Sequence, residues 1–102
     1  MTDTTWQQSP AGRVFLRRHG HKKRVRITWL MRARLLSGQT VAGAAKACRL
    51  NRRSWENWEQ GRREPSGRAM LSLLASLPDA STGAARGVAA FLTVNPQTLE
   101  PA

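Results

Sequence analysis

Between Ile27 and Leu77 the apolar residues return again and again at helical spacing, with short polar signals cutting the runs apart. Ile27, Leu30, Met31 and Leu35 form one such set, Val41, Ala44, Ala45 and Cys48 a second, and Met70, Leu73, Leu74 and Leu77 another. Side chains at i, i+3, i+4 and i+7 or i+8 share one face of an α-helix, so each set predicts a helix with one buried stripe. The first helix is expected from about Val25 to Leu36. "SGQT" ends it, with Gly38 suited to the residue after the C-cap and Thr40 to the N-cap of the next. The second stripe is built of small residues, so a neighbouring helix can approach it closely. Asn51 is a good N-cap for a third helix to about Gln60, on which Trp55 and Trp58 share a face, and Gly61 stops it. Pro65 and Ser66 announce a fourth helix, which Pro78 ends. A fifth is expected from about Ala84 to Leu92, weakened by Gly87. Neither strand alternation nor an internal repeat is seen. The expected fold class is therefore all-α, a compact bundle of about five short helices.

Residues 1–23 are expected to be an arm, first polar and then basic, 24–78 a helical core, and 79–102 a C-terminal helix and tail. The first ten residues read as a disordered tail ending at Pro10. "RVFLRRHGHKKRVR" (13–26) follows, with a small apolar knot at Val14, Phe15 and Leu16 and a break at Gly20. It reads as a short helix and flexible arm, or as an arm throughout.

Charge narrows the partner. The chain of 102 residues has 17 Lys+Arg against 6 Asp+Glu, a formal net charge of +11. Such an excess favours a polyanion, nucleic acid before a membrane surface. Cys48 is the single cysteine, so no internal disulfide can form. With His19 and His21 it offers too few ligands at too poor a spacing for a metal. No cofactor is expected. The polar "MTDTTWQQSP", carrying Asp3, is unlike a secretory signal, and no run approaches the roughly 20 apolar residues of a membrane span. A cytoplasmic location is expected, without membrane association. Enzyme chemistry is not expected either: paired carboxylates, a nucleophile with its base and a phosphate-cradling glycine loop are all missing.

The second helix, a four-residue connection and the third helix have helix-turn-helix spacing. Ala44 and Ala45 permit close packing, while Leu50 and Trp55 hold the third helix and leave its other face for a major groove. Arg52, Arg53, Glu56, Asn57 and Gln60 lie outside the anchoring set. Arginine and asparagine are the side chains that read guanine and adenine edges with two hydrogen bonds. Trp55 and Trp58 read as core anchors rather than base-stacking platforms.

At these residues the chain resembles the lambda-repressor-like (Cro/CI, or Xre) helix-turn-helix family, whose members are standard examples of this docking. The resemblance spans about residues 24–77 and is most specific in "SWENWEQGRREPS", with "TVAGAAKACRLNRRS" fitting the preceding helix and turn. It implies base reading by Arg52, Arg53 and Asn57. It also implies backbone contacts by Thr40, Ser54, Gln60, Arg62 and Arg63, and an ion pair between Arg34 and Glu59. The chain departs from the family at Val41, where a backbone-contacting glutamine is common, and at Arg49, where the turn usually has glycine. Arg17, Arg18, Lys22, Lys23 and Arg24 are candidates for arm contacts, in a minor groove or diffusely to phosphates; a merely solubilising tail is the alternative.

The function so implied is a sequence-specific double-stranded DNA-binding transcriptional regulator. A repressor is expected, a homodimer on a palindromic operator, with Val88, Phe91, Leu92 and Val94 as the candidate dimer surface. Phage repressors, regulators of anti-CRISPR operons and antitoxins controlling their own operons are all proteins of this kind. Two other functions compete: a protein-binding antitoxin that neutralises a toxin through the flanks 1–20 and 79–102, and a nonspecific RNA or single-strand binder.

Overall fold

The computed structural model describes residues 5–77 and 87–102. In chain order these form α1 (Thr5–Gln8), α2 (Pro10–His19), β1 (Val25–Thr28), α3 (Trp29–Leu36), α4 (Val41–Ala47), α5 (Arg52–Glu59), α6 (Gly67–Ser76) and β2 (Phe91–Val94). The expected all-α bundle is thus corrected to a mostly helical fold with a two-stranded antiparallel sheet. Val25 lies opposite Val94 and Thr28 opposite Phe91.

β1 takes the start of the expected first helix. Val25 and Ile27 point into the core and Arg26 outward, and the β-branched residues favour extended backbone. Ile27 stands three residues before Leu30, so this short strand also satisfies helical spacing. The helix begins only at Trp29, for a visible reason. Thr28 caps it: its Oγ1 accepts from the Met31 amide at 3.2 Å. The Trp29 and Leu30 amides donate to the carbonyls of Ala90 (3.1 Å) and Val88 (3.0 Å). Three of the four amides that a helix N-terminus leaves without an internal partner are thereby satisfied.

The expected fifth helix is also corrected. Residues 84–86 lie outside the described residues, but Val88–Ala90 form a turn and bend, and Phe91–Val94 form β2. Val88 and Val94 are buried in the monomer's own cores. They offer no surface to a second copy.

From Thr5 to His19 the N-terminal segment is docked rather than free. α2 is the short helix that is one of the two readings of 13–26, broken at Gly20, and residues 1–4 lie outside the described residues. Ser9 caps α2, its Oγ accepting from the Gly12 amide at 3.0 Å, and Pro10 occupies the first helical position, where its missing N–H costs nothing. Gly12 lets α2 cross the α1 turn: a Cβ there would stand 1.8 Å from the Trp6 carbonyl oxygen. Trp6 and Phe15 are buried edge to face, with ring centroids 6.2 Å apart.

Two cores result. One joins Leu30 and Ala33 of α3 to Ala44, Ala45, Trp55, Trp58 and Leu73. The other joins Leu35 to Trp6, Phe15, Val25, Ile27, Val94 and Leu99. α3 stands between them.

Candidate nucleic-acid interface

α4 and α5 are joined by Cys48–Asn51. The Leu50 amide reaches back to the Ala45 carbonyl (2.8 Å) and the Arg49 amide to Lys46 (3.1 Å), the pair of bonds that defines a Schellman C-cap. Arg49 sits in the left-handed region, at φ 56°. The ends of α3 and α5 close with the same two bonds, but with Gly38 (φ 73°) and Gly61 (φ 74°) at the equivalent place. The turn keeps the glycine geometry with an arginine in it.

The entry to each helix is also fixed. Thr40 Oγ1 accepts from the Gly43 amide (3.1 Å), and Asn51 Oδ1 from the Ser54 amide (3.1 Å). Each N-cap satisfies one amide that the helix itself cannot.

The orientation of α5 is set by its buried side. Trp55 is fully buried and Trp58 nearly so. Between them and α3 lies a buried polar cluster centred on Glu59. Arg34 Nε donates to Glu59 Oε2 at 2.5 Å and Arg34 Nη2 to Oε1 at 3.0 Å. Trp55 Nε1 donates to the same Oε2 at 2.6 Å. Arg34 Nη1 reaches the Gln39 carbonyl (2.9 Å), and Thr28 Oγ1 donates to the Glu59 carbonyl (3.0 Å). A two-pronged guanidinium–carboxylate pair fixes direction as well as distance. It ties α5 to α3 and to the loop before α4.

The opposite side of α5 faces outward. Arg52 and Arg53 are exposed in its first turn, and Ser54, Glu56 and Asn57 are half-buried. Arg52 Nε pairs with Glu56 Oε1 at 3.1 Å. Both side chains are well exposed, so this pair adds little to stability. Asn57 Oδ1 accepts a long bond, 3.4 Å, from Arg62 Nη1, which an incoming base edge can displace. Gln60, Arg62 and Arg63 are exposed just past the helix. Of the three residues implied to read bases, all lie on this one strip.

The arm cations divide between two places. Arg17 and Arg18 end α2, while Lys22, Lys23 and Arg24 are exposed in the connection to β1. Arg18 borders a groove shared with Thr40 and Arg52. Lys23 and Arg24 instead border a depression beside Asn95, Glu100 and the C-terminus. One charge run therefore serves two surfaces. His19, whose ring lies tilted against that of Phe15 with centroids 5.0 Å apart, is held below its usual pKa by partial burial, then by Lys22, Arg18 and His21.

Sequence reasoning named Arg49 only as a departure at the α4–α5 turn, where it is exposed, and did not place Val14 and Met31 in that groove. The apolar knot Val14–Leu16 was the one available signal, and it did not name α3 and α4 as the elements beside it. Phe91, expected at the dimer surface, packs against Gly61 and Arg26 of its own chain. Its ring packs where a Gly61 Cβ would be 2.3 Å away, and the Arg26 guanidinium lies 4.2 Å from the ring centroid.

Comparison with family models, with curated proteins and with solved structures gives no match to this chain.

Proposed function

We propose that the chain binds double-stranded DNA sequence-specifically through α4 and α5, and regulates transcription by occupying an operator. The observation that carries this reading is the two-sidedness of α5. Trp55, Trp58 and Glu59 lock one side into the core, and Arg52, Arg53 and Asn57 stand on the other. A helix held at a fixed angle with arginine and asparagine outward is the form of a major-groove reader. The net charge of +11 supports a polyanionic partner. Among the described residues no helix is long and apolar enough to cross a membrane.

A single reading helix covers only a few base pairs, which gives poor selectivity among genomic competitors. We therefore propose a homodimer, with two α5 helices about 34–36 Å apart on a palindromic site. Its contact surface lies outside the buried Val88 and Val94.

Selection of bound duplexes from a random pool tests the reading. Enrichment of a palindrome is expected, with two chains per duplex by light scattering. On that site Arg53→Ala should weaken binding by about 1–3 kcal/mol and relax preference at one position. A pool with no enriched sequence would overturn sequence-specific binding. Equal weakening on every sequence would reassign Arg53 to a phosphate.

A further inference from the structure

α2 lies before the helix-turn-helix, yet it forms one wall of a groove of about 500 Å³ against it. Val14, Met31 and Val41 line the groove with apolar surface, and Arg18, Thr40 and Arg52 border it as exposed residues. Arg34 also reaches its lining, with its guanidinium committed to Glu59 and the Gln39 carbonyl, and not one carboxylate-bearing residue lines the groove. A groove rimmed by the exposed guanidiniums of Arg18 and Arg52, the latter shared with Glu56, with no acid in its own lining, fits an anion. Its open shape and its continuity with the outward side of α5 fit a chain rather than an isolated ion.

We propose that this groove takes one strand of the sugar-phosphate backbone of duplex DNA. Arg18 binds a phosphate beside the one reached by Thr40, where the groove runs on to Arg52 at the edge of the reading strip, and the apolar lining meets the deoxyribose carbons. The proposal rests on the DNA-binding reading above and adds a third, rigid element to it.

Rigidity is what separates this from a charged arm. α2 is capped by Ser9 and carries Phe15 and Gly12 into the second core, so Arg18 projects from a fixed helix. A cation on a fixed element binds a phosphate at one place in the register, with less ordering to pay for in entropy than a cation on a loose tail. Phosphate contacts of this kind position a protein on the duplex without reading its sequence.

Arg13 gives the control. It is an exposed cation of the same helix, but five residues before Arg18 and so about 140° round the helix from it. It does not line the groove. Duplex affinity would be measured against salt for wild type, Arg18→Ala, Arg18→Lys and Arg13→Ala, with the selected site and a scrambled duplex as probes. Arg18→Ala should flatten the slope of log K against log salt by about 0.9 for each chain bound, one phosphate contact on B-DNA, and so by about 1.8 for a dimer on one duplex. It should weaken both duplexes by the same factor. Arg18→Lys should restore most of the slope, and Arg13→Ala should leave it unchanged. Equal slopes for all four proteins, or equal losses for Arg13→Ala and Arg18→Ala, would overturn the groove as a backbone site. A change in base preference with Arg18→Ala would overturn it too, making Arg18 a reader. If wild type bound both probes alike, sequence specificity would fail while the slopes still decided the groove. A wild type that bound neither duplex would overturn both.

Discussion

The two cores on either side of α3 are held by different kinds of contact. The α4–α5 side is centred on a buried charge. Glu59 receives two bonds from Arg34 and one from Trp55, and Arg34, Glu59 and Thr28 are the buried polar residues among those described. The terminal side, built from α1, α2, the sheet and the C-terminal turn, is apolar inside. The polar contacts that fasten it are exposed or part-buried. Gln97 Nε2 donates to the Gly20 carbonyl (2.8 Å), Gln7 donates to the Gln97 carbonyl, and Arg32 Nε donates to the Leu99 carbonyl (2.6 Å). An apolar core fixes burial but tolerates small changes of angle. A guanidinium–carboxylate pair fixes angle as well. The side that must present α5 at a set angle is the side that has one.

The largest effect should come from breaking that pair. Glu59→Ala leaves the Arg34 guanidinium buried without its counter-ion and the Trp55 N–H without its acceptor. Removing one partner of a buried pair typically costs about 3–5 kcal/mol. Urea unfolding followed by circular dichroism measures it. A loss under about 1 kcal/mol would show that water replaces the carboxylate, and that the two cores do not differ as described.

Gly12→Ala probes the other side. The added Cβ meets the Trp6 carbonyl, a backbone atom, at 1.8 Å, so α1 and α2 must separate. Overpacking of this kind costs about 1–3 kcal/mol. Hydrogen exchange should show the loss of protection in α1 and α2, with α4 and α5 still protected and the base preference set by α5 retained, while the Arg18 contact is lost. Loss of protection spread evenly over both sides would mean that α3 makes them one cooperative unit.

The same division governs what was legible in the sequence. The α3–α6 region is built from neighbours in the chain, so its apolar period, its caps and its stops are local signals. Thr40, Asn51 and Ser66 each cap a helix, and Gly38 and Gly61 each take the positive φ that their place after a helix favours. The outward strip of α5 follows from the same period. The terminal side is built from distant pieces. Val25 pairs with Val94 and Thr28 with Phe91, and nothing near either strand announces the other. Four residues are too few to separate a strand's period from a helix's when Ile27 also fits the following helix. Trp6 and Phe15 bury each other through a crossing that depends on Gly12, so a segment with few apolar residues still forms part of a core. The groove was hidden for the same reason: Arg18 lines one groove with Thr40 and Arg52 only because α2 is docked.

The smallest predicted effect is a gain, and it lies in the turn of the α4–α5 side. Arg49 holds φ 56°, a conformation that costs a residue with a Cβ about 1–2 kcal/mol. Arg49→Gly relieves that strain but gives the unfolded chain more freedom, at about 0.5–1 kcal/mol. The difference leaves a net stabilisation of roughly 0.5–1 kcal/mol. The two turn bonds, Leu50 to Ala45 and Arg49 to Lys46, use backbone atoms alone, so the substitution keeps them. The midpoint of urea unfolding should therefore rise with its slope unchanged. Arg49 is exposed, and its charge does not enter the Glu59 cluster, so the angle of α5 and the preferred DNA sequence should stay as they are. A fall in stability would show that the Arg49 side chain contributes more than its backbone strain costs. A changed preferred sequence would show that the turn, and not only the Arg34–Glu59 pair, sets the angle of α5.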